Sequence, residues 1–477
     1  MVDLGARQLE LIARCRGFLL SRAQRGTDVA LTPECYLNGW AAVPGNARLR
    51  QLAGERGGIL RLVLARAKDA LHYAAQAGYE IADGAAGAKG FTRLVVSWSR
   101  AGDFSTDGAY SDRYFRVCSR ETQGTLWFLL ALDHALPRQL DPNIVVFRQI
   151  RGPRSTAAFR LLRAAVGTAR WARPSVHGSV PAISAIATLA EQVAAAVVAQ
   201  LEGRTILSVL LPYEAQPFQH ALFRAVKHRD AAIRTVGYLH SALPPLPADL
   251  IVRAGAPDLL LVHGRGQADI LARHLGWSGS ALRTTKSLRY RADDLQPLAG
   301  LIFLPYSFAD SQVIERAFRD FLRAATPGTL PVLTVRNHPV MQSSKRHVRL
   351  QRRLEAIMTA YGDRFSPEAP PQPGVSIFIG ATAAILEALE RGVAALHICS
   401  RPLTESHSAQ LWEELKVERL GEHLFRYELR TPGAYIEFGP HTVETGNETI
   451  GAWLGLPSAR PVRGDADEAC RSLRQPA

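Results

Sequence analysis

The chain carries five cysteines, Cys15, Cys35, Cys118, Cys399 and Cys470, an odd number at wide spacings with no CxxC pair. That pattern offers neither a disulfide framework nor a thiolate zinc site. A reducing cytoplasm is therefore the expected setting. No run approaches 18 uninterrupted apolar residues, so no membrane-spanning helix is expected. The opening segment, MVDLGARQLELIARCRGFLL, carries acids and lacks the basic, apolar, small-residue layout of a secretory signal. GxxxxGK[ST], HExxH and GxSxG are all missing, which removes the P-loop, zincin and α/β-hydrolase chemistries. Gly264-Arg265-Gly266 lacks the third glycine and the partner acid of a dinucleotide fingerprint.

What is present describes an ordinary globular protein. Of the 477 residues, 47% are hydrophobic and 21% charged, enough to build two or three cored domains. The net charge is +14, and arginine dominates lysine. A basic surface suits nucleic acid, anionic membrane or anionic small substrates. The arginines are scattered and no aromatic platform interleaves with them, so nucleic acid is not an expected partner.

Residues 1–90 read as a largely helical extension, with helical periodicity over Leu9–Leu20 and Leu60–Ala77. Ala82–Gly90 has the composition of a linker. From Arg93 strands and helices alternate. Strands are expected at Leu94–Trp98, Asn143–Phe147, Thr205–Leu211, Arg234–Tyr238 and Asp258–Val262. Helices are expected at Leu126–His134, Ala182–Leu201, Pro217–Arg229 and Gln267–Leu275. This alternation predicts a parallel, Rossmann-like domain over residues 91–297. A basic crossing at residues 280–299, holding Arg283, Lys286, Arg289 and Arg291, leads into a second such unit over 298–430. That unit is expected to have four strands (Leu301–Leu304, Val332–Arg336, Val375–Ile379, Ala394–Ile398), helices at Ser311–Ala325, Lys345–Tyr361 and Ala383–Arg391, and a proline-rich loop at Pro367–Pro373. Residues 431–477 read as an irregular tail. The fold class expected is thus α/β, two Rossmann-like domains facing across a cleft with a helical extension in front.

Open parallel sheets bind ligands beyond the carboxyl ends of their strands. Asn337, His338 and Pro339 occupy such an end, where a histidine can donate to a phosphate oxygen. Gly380, Ala381 and Thr382 form a small-residue turn into a helix, which exposes backbone N–H groups; Thr382 equally serves as an N-cap. Glu387, on the same helix, is placed to accept the hydroxyls of a ribose. In the first domain Tyr213, Glu214 and Gln216 follow one strand and His240 the next, giving a base and an acceptor pocket. Asp107 and Asp112, in the dense Asp/Tyr/Arg loop after Leu94–Trp98, compete with Glu214 for the base role, although Asp107-Gly108 also fits an ordinary turn.

Together these residues resemble the GT-B glycosyltransferases that use CMP-activated acidic sugars, the bacterial sialyltransferases and Kdo (3-deoxy-manno-octulosonic acid) transferases. In those families a His-Pro motif contacts the nucleotide phosphate, matching His338-Pro339. A hydroxyl-bearing motif at a following helix start does likewise, here Ala381-Thr382 in place of paired Ser/Thr. An acid-Asp-Gly motif carries the base, and Thr106-Asp107-Gly108 lacks its first acid. Glu387 to Gly392 resembles the ribose-binding segment. SWSRAGDFSTDGAYSDRYF, LPYEAQPFQHALFRAVK, VGYLHSALPPLP and GATAAILEALERGV are similar to bacterial surface-carbohydrate biosynthesis proteins, a resemblance covering roughly residues 93–400.

The resemblance implies transfer of a Kdo- or sialic-acid-like sugar from a CMP-sugar to a capsule, O-antigen or lipopolysaccharide acceptor. It implies no cofactor beyond the co-substrate, no metal, and a cytoplasmic protein with peripheral contact to an anionic inner membrane. The alternatives are a GT-B transferase or epimerase using a UDP- or GDP-sugar, and a non-catalytic glycan-assembly scaffold.

Overall fold

The structure, a computed structural model, describes residues 3–24, 28–29, 31–37, 44–55, 57–86, 88–133, 139–151, 184–291, 300–366, 375–439 and 449–457. The Pro367–Pro373 loop, most of the tail and Cys470 lie outside the described residues.

Three helices open the chain: α1 (Leu4–Gln24), α2 (Pro44–Leu52) and α3 (Gly58–Ala75). An eight-stranded sheet follows. Its strands are β1 (Gln76–Asp83), β2 (Arg93–Ser99), β3 (Thr125–Ala131) and β4 (Ile144–Arg151), then β5 (Ser208–Pro212), β6 (Arg234–Tyr238), β7 (Leu259–Val262) and β8 (Leu282–Thr284). The order is β1-β4-β3-β2-β5-β6-β7-β8. Only β1 runs antiparallel, paired with β4 at the edge. The order reverses between β2 and β5, which makes that junction the topological switch point of a doubly wound sheet.

Helices α4 (Ala185–Leu201), α5 (Pro217–Arg229) and α6 (Arg265–Leu275) supply the connections. Ser184 caps α4 with its hydroxyl, and Gly276 ends α6 at φ +83°. Alternate strand residues Val96, Phe128, Val145 and Val209 pack on the α4–α5 side. Val95, Trp127, Leu129, Val146 and Leu210 face the other way, onto Tyr110 and Phe115. No α-helix connects β2 to β3; residues 100–124, with two short 3-10 turns, run down this second face and cover it.

A second sheet comprises β10 (Leu301–Phe303), β11 (Thr334–Arg336), β12 (Val375–Ile379) and β13 (Ala394–Ile398), all parallel, with β14 (Leu415–Arg419) and β15 (Leu424–Leu429) added antiparallel. Its order, β11-β10-β12-β13-β15-β14, switches between β10 and β12. Helices α7 (Ser311–Ala324), α8 (Lys345–Ala360) and α9 (Ala384–Glu390) flank it. Short α10 (Pro402–Glu405) and α11 (Ile450–Leu454), and a parallel pair of β9 (Ser287–Arg291) with β16 (Phe438–Gly439), complete the chain.

The α/β class with two parallel-rich Rossmann-like sheets is as expected, with four local corrections. The segment expected as a helix at Leu126–His134 is β3 up to Ala131, buried along nearly its whole length. Ala82 and Asp83 of the expected linker belong to β1. The basic crossing contains β8 and β9. The second unit has six strands rather than four, because a hairpin follows β13.

The sheets are tied together at several points. Gln8 of α1 donates to Leu403 O at 3.1 Å and Ser406 O at 2.7 Å, beyond the second sheet, while Arg16 of α1 donates to His274 O in the first unit. Trp412 Nε1 donates to Pro245 O at 2.9 Å, and Gln267 Nε2 to Tyr435 O at 2.6 Å. One apolar cluster runs without a break from Val96 and Phe128 to Leu386, Trp412 and Phe425. Helix α11 returns to the first sheet, where Arg93 donates to Ala452 O and Thr125 to Leu454 O. Among the described residues no helix is long and apolar enough to cross a membrane.

Candidate functional site

Glu214 stands two residues past β5, on one side of the first sheet's switch point. The turn that carries it is built by Gln219, whose Oε1 accepts from the backbone N–H of both Glu214 and Gln216 at 2.9 Å and whose Nε2 donates to Pro212 O. Ala215 is held at φ +55° in the same turn. Gln216 donates from Nε2 to Glu214 Oε2 at 2.7 Å, and His240, just past β6, lies with Nε2 3.2 Å from Oε1. The Glu214 side chain keeps 27% of its surface open, whereas His240 keeps 6%. Burial pushes the Glu214 carboxyl up, but the bond to His240, the His240 charge, Gln216 and Arg289 outweigh it and leave the group below its ordinary range. Nδ1 of His240 is sealed from solvent. His240 thus orients Glu214 from a buried position.

Tyr114, from the β2–β3 connection, packs edge-on against His240 with centroids 4.6 Å apart. Asp112 sets its position. Its Oδ1 accepts from the N–H of Tyr114 at 2.7 Å and of Phe115 at 2.6 Å, and its Oδ2 from Ser97 Oγ at 2.5 Å and Tyr110 OH at 2.7 Å. Burial raises the Asp112 carboxyl above its usual range. With both oxygens occupied and 2% of its surface exposed, Asp112 is a positioning residue rather than a base.

Asp107 is at the other end of the sheet. Arg120 bridges it to Asp141, which precedes β4, so Asp107 sits by the amino end of that strand. Hydrogen bonds from Ser105 and Arg120 hold its carboxyl down at about 2. The expectation of a base at Asp107 does not fit this placement. Tyr213, expected in an acceptor pocket, points instead into the core, 1% exposed among Phe223 and Trp277.

The second sheet contributes from its own switch point. Loops after β10 and β12 meet there: a Cβ on Gly380 would come within 3.2 Å of Pro305 Cγ, and Gly380 itself has φ +63°. Thr382 Oγ1 accepts from Ala384 N at 3.2 Å just ahead of the seven-residue α9, whose N-cap is Ala383, with Ala381 exposed beside it. His338 ends the β11 loop, edge-on to Tyr306 at 5.6 Å. Its Nδ1 accepts from Val340 N at 3.3 Å in the short turn that Pro339 begins, which leaves Nε2 as the proton-bearing, donating nitrogen. Burial, with the Arg289 and His347 charges, draws the His338 imidazole below its ordinary value, so the ring is neutral at pH 7. Asn337 donates to Gln351 Oε1 at 2.5 Å and braces the loop. Glu387 lies 3.4 Å from Arg391, which in turn donates to Arg291 O.

Arg289 of β9 joins the two halves. It is exposed, and no ion-pair partner is in contact with it among the described residues. Its guanidinium nevertheless lies in the fields of Tyr290, Glu387, Glu214 and Tyr114, and its charge reaches His338. Its charge therefore bears on carboxylates carried by both sheets, with neither of which it forms an ion pair among the described residues. Sequence reasoning recorded Arg289 only as part of a basic stretch. The available signal was its place between Leu288 and Tyr290, two buried residues, in an alternating strand. Tyr114 entered only as a member of the Asp/Tyr/Arg loop, and Tyr306 was missed. Glu214, Gln216, His240, His338 and Glu387 are thus brought together around Arg289, while Asp107 and Tyr213 are not. Among the described residues, no group of three or more His, Cys, Asp or Glu is arranged to hold a metal ion.

No family model matches the chain, and no curated protein matches it in sequence. Among solved structures it is similar to a glycosyltransferase from Rickettsia africae ESF-5, at 7% identity and a TM-score of 0.29, over 66% of this chain and 86% of that one. A TM-score this low carries no argument, so the functional reading rests on the geometry of the cleft.

Proposed function

We propose that the chain is a glycosyltransferase whose cleft takes a nucleotide-activated sugar, in the first instance a CMP-activated acidic sugar, and passes it to a hydroxyl of a bacterial surface glycan or glycolipid. The observation that carries this reading is the Glu214–His240 pair at one switch point, set opposite His338 and Glu387 at the other, with Arg289 between them. Glu214, kept ionised by His240 and Gln216, accepts the proton of the attacking hydroxyl. Arg289 and the Nε2–H of His338 take up negative charge as it develops on the departing phosphate. Glu387 receives ribose hydroxyls. The resemblance noted in the sequence supports the acidic sugar and the CMP leaving group; the geometry supports a phosphate-bearing donor and a carboxylate base.

The deciding experiment is a thermal-shift screen of the full chain with CMP, UDP and GDP, followed by CMP release from CMP-Kdo or CMP-sialic acid. A ligand that binds only the folded state raises its melting temperature. Stabilisation by CMP with release of CMP supports the reading. Stabilisation by UDP or GDP alone would transfer the site to the other donor classes. Indifference to all three would point to a non-catalytic glycan-binding role. His338→Ala is expected to reduce turnover by about tenfold or more, the loss of one charge-stabilising contact in the transition state; unchanged turnover would exclude His338 from the phosphate site.

A further inference from the structure

Away from the cleft, a cavity of ≈ 530 Å³ opens between the first turns of α7 and α8. Ser311, Lys345, Arg346 and Arg349 line it over a floor of buried Phe308 and Leu350. A fourth cation at its edge, Arg353, is matched by Glu315 at 2.8 Å. Lys345 and Arg349 have no such match among the described residues. Arg346 is held against the wall, 4.3 Å from the centre of the Phe308 ring and donating to Ala309 O at 2.8 Å. Three cations on exposed residues therefore line one cavity without a carboxylate partner among the described residues.

Their place in the helix makes this costlier still. The amino end of a helix carries partial positive charge, which favours acids there and disfavours cations. Helix α8 nevertheless begins Lys345-Arg346-His347 with no acid in its first turn. Its N-cap, Ser344, makes no side-chain cap, the hydroxyl lying instead 3.0 Å from His347 Nδ1. Breaks in local rules of this kind collect where a ligand supplies the missing partner.

We propose that this cavity is a binding site for a phosphate group, sharing no lining residue with the cleft. One ammonium and two guanidinium groups present more donors than a carboxylate can accept, and they fit the oxygens of a phosphate. The apolar floor shapes the pocket and strengthens each contact by keeping water from its underside. The phosphate comes either from a soluble phosphorylated molecule or from a phosphodiester headgroup at a bilayer.

The test is calorimetric titration of the full chain with inorganic phosphate, ionic strength held constant with sodium chloride. The wild-type chain and Arg289→Gln are both expected to bind phosphate, while adding Lys345→Gln/Arg349→Gln to the Arg289→Gln chain weakens that binding at least about tenfold. Absence of binding to the wild type would overturn the proposal. So would loss in Arg289→Gln with retention in the double variant Lys345→Gln/Arg349→Gln, since the phosphate would then be in the cleft. Co-sedimentation with phosphatidylglycerol vesicles separates the sources: sedimentation abolished by the double variant supports a headgroup phosphate, and phosphate binding without sedimentation supports a soluble one. A result against the sugar-transfer reading leaves this test untouched, because it measures phosphate alone.

Discussion

Opposing forces act on the Glu214 carboxylate. Desolvation favours its protonated form, while His240, Gln216 and the Arg289 field favour the charged one, and the charged form prevails. Because the folded value is depressed, the stability this group adds is present above the ordinary glutamate range and is lost as pH falls through the lowered value. Glu214→Gln keeps the shape and a hydrogen-bonding head but removes the proposed proton acceptor. Sugar transfer is expected to fall roughly a hundred- to ten-thousand-fold; transfer at the wild-type rate would rule out Glu214 as the base. Asp112 is expected to behave in the opposite way. Asp112→Asn sets an amide NH2 against donors that need an acceptor, and a loss of about 1–3 kcal/mol in urea unfolding is expected. Glu214 and His240 were legible because a polar residue just past an apolar strand is informative in this fold class. Asp107 and Asp112 misled because nothing in their loop announces that it runs back down the sheet, and that path carries one to the wrong end and seals the other inside.

Among the elements, the clearest strands and helices were those whose boundaries carry chemistry of their own. Pro217 opens α5, Gly276 closes α6 and Ser184 caps α4. β3 was misread because Thr125–Ala131 has no alternation: both its faces are covered, so its pattern is a continuous apolar run like that of a buried helix. The β14–β15 hairpin was missed for the opposite reason. Its strands alternate charged and apolar residues at a sheet edge, and the text resembles an irregular tail. The element that most tightly constrains the cleft is the turn after β12. Gly380→Ala would impose a side chain at φ +63° and press it on Pro305. A loss of about 1 kcal/mol or more is expected in denaturant unfolding, together with weaker nucleotide binding, because the two switch-point loops meet there. If stability and binding were both unaffected, the turn would not be the constraint described.

At the scale of the whole molecule, the helices and loops that cross between the sheets make one cooperative body. Calorimetry is expected to show a single unfolding transition rather than two, because the apolar cluster is continuous from Phe128 to Phe425. Two resolved transitions would contradict that continuity. The same interior predicts sensitivity to acid. Burial draws His397 down to about 4 and His263 to about 3, so both stay neutral when folded and take up protons when unfolded. Stability from these groups should decline as pH falls below about 6.5, the ordinary histidine value, and continue to decline toward the lowered values. The return of α11 to the first sheet has a consequence in time. Arg93 and Thr125, at the starts of β2 and β3, reach across to Ala452 and Leu454. A chain emerging from the ribosome makes the central strands of its first sheet early, yet must synthesise the entire second sheet before those strands receive their last cover. Strands made early in this protein are among the last parts of it to be finished.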